Sequence, residues 1–299
     1  MRYIRPKPVA ATGLWFISRP IAAATRATML VEQPRGSLMC LGLGITLGSQ
    51  LTILAREQLA VADVVFFHSN SHYLAGFLQQ INPNLVDLQP FYQAGQSRLE
   101  SYQAMMDAVI AAVTTGNNVV WACYGHPGIA SWPPHEAIRQ LKALGYQAQM
   151  AAGIGADACL YADLGIDPMA EGCQQFEASQ FMFYQHTVDV SGYLLLWQVA
   201  IAGDFSLARL ESDSRYIQIL VQHLQQWYPP DHQIILYEAA DLPIWQHRAD
   251  TIALTSLPQA TLNQITPLVI PPLHAKKINH NMLDQLGVPA DHPLRQKAG

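Results

Sequence analysis

Short apolar strands that end in glycine-rich turns, each followed by a helix, constrain the fold of this chain more than any other feature. Leu38–Leu43 runs into Gly44, and Val119–Tyr124 and Tyr146–Met150 end in the same way. Val64–His68 is a further predicted strand, and helical patterns between the strands, for example at Leu99–Thr114, complete the alternation. Strands and helices that alternate with short connections are typical of an α/β fold with a largely parallel sheet.

The second half of the sequence has a different pattern. Predicted strands at Tyr193–Val199, Gln233–Tyr237 and Leu268–Ile270 accompany a predicted helix at Tyr216–Trp227. We therefore expect two α/β domains with a boundary near residue 150. The predicted organisation is a flexible extension (residues 1–35), an N-terminal domain (36–150), a C-terminal domain (151–272) and a polar tail (273–299).

The first 31 residues contain five basic residues and no Asp or Glu. An acid-poor leader of this kind can be a targeting segment. It lacks a clear cleavage site and a strong amphipathic face. A flexible extension, or a functional start at Met29, is therefore the favoured interpretation.

Composition excludes several classes of protein. Half of the residues are hydrophobic and the formal net charge is −5, which argues against disorder and against a general nucleic-acid binder. No apolar run approaches the roughly 20 residues that span a bilayer, so we expect a soluble protein with no membrane partner. The four cysteines are scattered without metal-ligand spacing, which predicts no metal site and small buried thiols in a reducing cytoplasm.

Two of the glycine turns differ in what they can bind. Gly42-x-Gly44-x-x-x-Gly48 misses the dinucleotide spacing by one residue, so NAD binding is a weak alternative to a simple tight turn. The turn Tyr124–Gly128 ends a buried strand, where ligands of open α/β sheets bind. It offers a phenol ring and the imidazole of His126, although a histidine satisfied by the backbone remains an open alternative.

The third turn, Ala152–Asp157, also follows a strand and opens a helix. Its small residues leave room for an adenosine, and the start of a helix favours anions. No lysine follows in P-loop spacing, so a triphosphate is not expected. S-adenosylmethionine suits this turn better.

A capping box marks the start of another helix. Ser97 and Glu100 have the S-x-x-E spacing, which predicts a helix from about Arg98. Arg98 and Tyr102 then share one helical face, with Tyr92 in the turn before it. A cation in the first turn opposes the helix dipole, which indicates that the charge has a use. A surface arginine beside packing tyrosines is the alternative.

Together these motifs resemble the tetrapyrrole (corrin and porphyrin) methylases. The resemblance is closer to the borosin peptide α-N-methyltransferases of omphalotin-type biosynthesis, which act on ribosomally made peptides. It extends from about Gly36 to Pro272 and includes the segments 160–168 and Phe176–Ser179. It implies a two-domain fold with S-adenosylmethionine in the interdomain cleft, S-adenosylhomocysteine as the product, and a homodimer.

The resemblance also implies roles for individual residues. Tyr92, Arg98 and Tyr102 match the catalytic positions of the family. The residues at its cofactor-contacting positions are Tyr124, His126, Ile129, Gly155, Ala156, Gln198, Ala239, Thr266 and Pro267. Three residues depart from the pattern of the relatives: Gln89 replaces an active-site tyrosine, Gly155 a serine and Pro267 a threonine.

These side chains suit the methylation of an amide. An amide nitrogen is a poor nucleophile because its lone pair is delocalised into the carbonyl group. The Arg98 cation would favour the phenolate of Tyr102, which would then act as general base. Arg98 and Tyr92 would donate to the developing oxyanion, a contribution typically worth about 3–4 kcal/mol per donor.

Two other functions remain open at this point. One is a methylase of a tetrapyrrole or another small molecule, and the other is a non-catalytic nucleotide- or peptide-binding protein of the same fold. Only 27 residues follow Pro272, and none of them forms a run of Val, Ile or Gly that resembles a methylation target. We therefore expect a separate precursor peptide that is methylated in trans. The segment Asn279–Gly287 is expected to form a short docking helix if it is not a target.

Overall fold

The computed structural model describes residues 36–68, 72–92, 96–206 and 213–296. The predicted N-terminal extension lies outside the described residues. Among the described residues, no helix is both long and apolar enough to cross a membrane.

The first sheet consists of five parallel strands in the order β3-β2-β4-β1-β5. Its strands are β1 (Ser37–Gly42), β2 (Val64–Phe67), β3 (Leu85–Asp87), β4 (Asn118–Cys123) and β5 (Gln147–Met150). The helices that connect them are α1 (Ile53–Val61), α2 (His72–Gln79), α3 (Arg98–Thr114) and α4 (Trp132–Ala143). Because all five strands are parallel, their carboxyl ends lie along a single edge of the sheet.

Alternating side chains of the central strands supply two apolar cores, one on each face of this sheet. Leu38 and Trp121 pack with Met106 of α3 on one face. Leu41 and Val120 pack with residues of α1 and α2 on the other. Burial on both faces explains why these strands read as continuous apolar runs in the sequence.

The second sheet has the order β6-β7-β10-β8-β9. Its strands are β6 (Cys173–Glu177), β7 (Tyr193–Trp197), β8 (Gln233–Glu238), β9 (Arg248–Ala253) and β10 (Leu268–Ile270). Only β6 and β7 pair in parallel, and the other three described pairs are antiparallel. The largely parallel sheet predicted from the first part of the sequence is the first sheet, and the second sheet is mixed.

Six further helices lie in the described residues of the second half. They are α5 (Ala156–Leu164), α6 (Pro168–Glu171), α7 (Ala178–Phe183), α8 (Ser214–Leu224), α9 (His280–Gln285) and α10 (Pro293–Gln296). One face of α8, including Ile217 and Leu220, packs into the core that covers this sheet. The short helix expected near the end of the chain is present as α9, with Asn279 as its N-cap.

Three strands were not predicted, and each of them lies at an edge of its sheet. They are β3, β6 and β9. These strands contain only half-buried and exposed residues. An edge strand buries fewer apolar residues, so its sequence has a weaker hydrophobic pattern. This explains why these three strands were not predicted.

Candidate functional site

Three glycine turns meet at the carboxyl edge of the first sheet, and we call this surface the glycine edge: Gly42–Gly44, Tyr124–Gly128 and Gly153–Gly155. The N–H of Gly125 donates to the carbonyl oxygen of Gly44 at 2.9 Å. A Cβ atom on Gly42 would overlap the Gly125 carbonyl oxygen, and one on Gly153 would lie 2.8 Å from the Gly42 Cα. Backbone packs directly on backbone here, which requires glycine.

The histidine turn is held in place by its own backbone. The Gly128 N–H donates to His126 Nδ1 at 3.0 Å, so the neutral ring carries its hydrogen on Nε2. His135 Nε2 lies 2.9 Å from the Gly128 carbonyl oxygen and braces the turn from α4. The alternative in which the backbone hydrogen-bonds to His126 therefore holds for Nδ1. The other ring nitrogen, Nε2, can still donate a hydrogen bond.

Tyr124 and Ile129 flank this turn with exposed surface. The Tyr124 side chain is 43% exposed, yet desolvation of its hydroxyl, reinforced by Asp241 and Cys159, raises its pKa to about 12. The phenol therefore stays protonated and can donate a hydrogen bond at any physiological pH. Ile129 presents an exposed apolar side chain beside it.

Helix α5 begins at the glycine edge without a side-chain cap. Gly155 is its N-cap residue and Ala156 its first residue, and no side chain accepts a hydrogen bond at this cap. The first N–H groups of an α-helix have no partner within the helix and favour an anionic group. The start of α5 therefore offers backbone donors to a carboxylate.

Gln198 is in an unusual backbone conformation. It follows β7 with φ 58° and ψ 39°, in the left-handed region. Among the described residues, only Ala130 and Gln198 combine a positive φ with a side chain, and both lie at or next to predicted cofactor positions. A non-glycine residue in this region costs on the order of 1 kcal/mol or more and points to a functional constraint.

Thr266 and Pro267 lie buried where the chain enters β10. The Thr266 hydroxyl donates to Glu238 Oε1 at 2.6 Å. Burial alone would raise the pKa of Glu238, but hydrogen bonds from Thr266 and Asn263 and the charge of Arg248 lower it overall. The threonine hydroxyl is thus engaged within the protein, which leaves its backbone as the part that can meet a ligand.

A cavity of about 640 Å³ lies next to the glycine edge. It is lined by residues of both halves, among them Gln50 of the first and Ile154 and Ala239 of the second. On its wall, the Tyr237 hydroxyl donates to Asp163 Oδ2 at 2.6 Å. A volume of this size suits a small-molecule ligand. Of the nine predicted cofactor positions, Ala239 is the one that contributes to the lining of this cavity.

The predicted capping box is confirmed. Ser97 is the N-cap of α3, its Oγ accepts from the Leu99 N–H at 3.2 Å, and its own N–H donates to Glu100 Oε2 at 3.2 Å. The helix therefore starts at Arg98, one turn before Tyr102, as expected.

Tyr92 and Tyr102 are in contact. Their ring centroids are 6.1 Å apart and the ring planes are nearly perpendicular, at 82°. Burial, followed by the interaction and hydrogen bond with Tyr102, raises the pKa of Tyr92 far above its usual value. Tyr92 is therefore a protonated donor whose neighbour, Tyr102, is in position to accept.

Arg98 has a buried partner that the sequence analysis missed. Its Nη2 lies 3.1 Å from Asp204 Oδ2, and the side chains are 16% and 2% exposed, respectively. Asp204 Oδ1 also accepts from the N–H and the hydroxyl of Ser206, at 3.0 and 2.6 Å. The sequence feature that could have indicated Asp204 is its position as an acid directly after the apolar segment Val199–Gly203. We call Tyr92, Arg98, Tyr102 and Asp204 the tyrosine–arginine cluster.

The structure brings a second unpredicted side chain to this cluster. His68 follows β2, and its ring centroid is 5.1 Å from that of Tyr92. Burial lowers the pKa of His68 below its usual value, against the opposing effects of Gln89 and Asp87. His68 was not predicted because a single histidine after a strand has no motif.

Comparisons with known proteins identify a family and several relatives of this chain. The family Tetrapyrrole (Corrin/Porphyrin) Methylases matches residues 37–247. The methyltransferase/ribosomally synthesized cyclic peptide dendrothelin A precursor of Dendrothele bispora is 35% identical over 254 residues, 83% of this chain and 60% of that protein. The corresponding omphalotin A precursor of Omphalotus olearius is 33% identical over 257 residues, 84% of this chain and 61% of that protein. The chain thus spans about six-tenths of the length of these relatives.

Solved structures show the same fold at low sequence identity. The uroporphyrin-III-C-methyltransferase of Thermus thermophilus is similar with a TM-score of 0.59 at 19% identity, covering 86% of this chain and 99% of that one. The methyltransferase CobJ has a TM-score of 0.53 at 15% identity, with 82% and 97% covered. Since the family match includes the whole first sheet, the glycine edge and the tyrosine–arginine cluster, this chain belongs to the tetrapyrrole (corrin/porphyrin) methylases.

Proposed function

We propose that the chain is an S-adenosylmethionine-dependent methyltransferase that methylates backbone amide nitrogens of a peptide. The observation that carries the proposal is the tyrosine–arginine cluster, in which two tyrosines in contact lie beside an arginine that a buried aspartate holds in place. The names of the fungal relatives, which are fused to cyclic peptide precursors, support the choice of a peptide.

The glycine edge fits the proposed cofactor. The uncapped start of α5 at Gly155 and Ala156 suits a carboxylate, and the protonated Tyr124 is a neutral donor beside it. His126 and Ile129, together with Gln198, Ala239, Thr266 and Pro267 from the second half, would complete the binding site. When bound, S-adenosylmethionine supplies an electrophilic methyl group with a good leaving group, and S-adenosylhomocysteine is the product.

The residues of the cluster would have separate tasks. Tyr102 would take the proton of the amide N–H, with Tyr92 as the donor that stabilises its phenolate. Arg98 would stabilise the negative charge that moves onto the amide oxygen. Asp204 would fix the position of the guanidinium, because a charged pair this deeply buried has little freedom to move.

A separate precursor peptide is the substrate in this proposal. The described part of the tail packs against itself and the second half: Arg295 pairs with Asp284 at 2.7 Å, and the Leu273 N–H donates to the Val190 carbonyl oxygen at 2.8 Å. These contacts, and the lack of a run of Val, Ile or Gly within residues 273–299, support a substrate other than these residues. A homodimer, as the resemblance implies, is part of the same proposal.

The test is mass spectrometry of peptides co-expressed with the protein from neighbouring open reading frames. We expect mass gains of whole methyl groups, which fragmentation assigns to backbone nitrogens. Methyl groups on side chains only, or on an added tetrapyrrole in place of a peptide, would favour the small-molecule methylase. Methylation within residues 273–299 of the purified protein would contradict the separate substrate.

A further inference from the structure

His68 lies at the carboxyl end of β2, and the reaction outlined above gives it no role. Its ring is in contact with that of Tyr92, with centroids 5.1 Å apart and planes tilted by 53°. Tyr92 is in turn hydrogen-bonded to Tyr102. The three rings form a row that begins at the proposed base, Tyr102, and ends at an imidazole, and we call it the ring row.

The groups around His68 have opposing effects on its protonation. Burial disfavours the protonated ring, whereas the Gln89 side chain and the Asp87 carboxylate favour it. Gln89 Oε1 is buried and has no hydrogen-bond partner among the described residues. A buried oxygen without a partner is destabilising, and an N–H of the protonated imidazole would be the donor that it lacks. The ring is therefore neutral at rest, next to groups that would accommodate a proton.

Methylation of an amide releases one proton, which must leave the site. The N–H bond breaks, an N–C bond forms, and the sulfur that gives up the methyl group keeps the electron pair. We propose that His68 receives the released proton along the ring row and passes it to solvent, while Gln89 accepts the hydrogen bond of the protonated ring. This inference rests on the proposed function.

The direction of transfer follows from the order of the rings. Once Tyr102 has taken the amide proton, it can donate to the Tyr92 oxygen, and the Tyr92 hydroxyl then turns its own hydrogen toward His68. This route needs a hydrogen bond, direct or through one bridging water, between the Tyr92 hydroxyl and the His68 ring. His68 acts through the tyrosines, so it is a positioning residue and not a catalytic one.

Protonation of His68 before the reaction would block this route. Among the described residues, the charged neighbour of His68 is Asp87 on β3, and Arg98 acts on Tyr92 from α3. Because burial lowers the pKa of His68, the neutral acceptor persists below the usual titration range of histidine. Turnover should therefore fall only when the pH drops through this lowered pKa.

The experiment measures turnover against pH for the wild-type protein and two variants, with the co-expressed precursor peptide as substrate. His68→Phe keeps a ring beside Tyr92 but accepts no proton. We expect its turnover to fall about 10²-fold, the lower end of a typical acid–base contribution. The fall of turnover at low pH, which we call the acid limb, should be present in the wild type and absent in this variant. Gln89→Glu places a carboxylate beside His68 and should move the acid limb to higher pH by about 1–3 units.

Two further measurements separate the possible failures. NMR titration of the His68 ring, which needs no peptide, should give a midpoint below that of free histidine in the wild type and a higher one in Gln89→Glu. Calorimetry should show unchanged S-adenosylmethionine affinity in His68→Phe. Wild-type turnover with an identical pH profile in His68→Phe would overturn the role of His68 alone. No methylation by the wild type would overturn the proposed function, and the inference with it.

Discussion

The glycine edge and the tyrosine–arginine cluster reach their geometry by opposite means. At the glycine edge, backbone atoms of three turns touch, and a single added Cβ would force them apart. In the cluster, side chains from distant parts of the chain are held by one ion pair and by ring contacts. In the proposed function, the first region binds the cofactor and the second carries out the reaction. Substitutions in the two regions should therefore have different consequences.

Tyr102→Phe and Arg98→Ala should have the largest effect on turnover. Loss of the base or of the oxyanion donor is expected to slow N-methylation by about 10²–10⁴-fold. The affinity for S-adenosylmethionine, measured by calorimetry, should stay nearly the same because neither residue belongs to the glycine edge. Tyr73→Phe, at an exposed tyrosine of α2, is the matched control. Near-normal turnover in both variants would mean that these residues only pack.

Asp204→Ala should be costly for stability as well as for activity. It leaves the Arg98 guanidinium buried without its carboxylate, which typically costs about 3–5 kcal/mol. Urea denaturation measures the loss in the free energy of unfolding. The double variant Arg98→Met, Asp204→Ala should be more stable than Asp204→Ala, since it carries no unpaired buried charge. If the loss in the free energy of unfolding of the double variant equals the sum of the losses of the two single variants, the two side chains are not coupled.

Gly42→Ala tests the backbone-built region. A methyl group there would overlap the Gly125 carbonyl oxygen, and we expect a loss of about 1–3 kcal/mol with weaker cofactor binding. Gly76→Ala is the control, because a Cβ on Gly76 meets nothing within 4 Å and lies in helix α2. It should stabilise the protein by roughly 0.5–1 kcal/mol. Equal thermal stability of the two variants would contradict the close contact at the glycine edge.

Tyr124→Phe should have the smallest effect, confined to cofactor affinity. Loss of one neutral hydrogen bond is worth about 0.5–1.5 kcal/mol. Because the pKa of Tyr124 is raised to about 12, the phenol stays protonated and its contribution should be constant from neutral pH to about 10. Calorimetry at several pH values checks this, with Tyr184→Phe, at an exposed tyrosine, as control. An affinity that falls between pH 8 and 10 in the wild type but not in the variant would contradict a protonated donor.

The sequence predicted what depends on neighbouring residues. Ser97 and Glu100 are three residues apart, so their capping box and the start of α3 were evident and are confirmed. The buried strands of the first sheet were equally clear from their apolar runs.

Features that depend on distant residues were not predictable. Asp204 lies 106 residues from Arg98, and nothing local to either indicates that they pair. His68 meets Tyr92 only because β2 and β3 are neighbours in the sheet. The edge strand β9 (Arg248–Ala253) is mostly exposed and polar, so its pairing with β8 left little hydrophobic pattern to find.

The pairing of Arg98 with Asp204 has a consequence for the order of events during synthesis. Every strand of the first sheet has been synthesised once residue 150 is added, but Asp204 follows more than 50 residues later. Domains generally fold from the N-terminus onward as they are made. Until Asp204 arrives, the Arg98 guanidinium has no fixed orientation, even if the first sheet and its turns are already assembled. The nascent chain would therefore become competent for chemistry only after the second half has begun to fold.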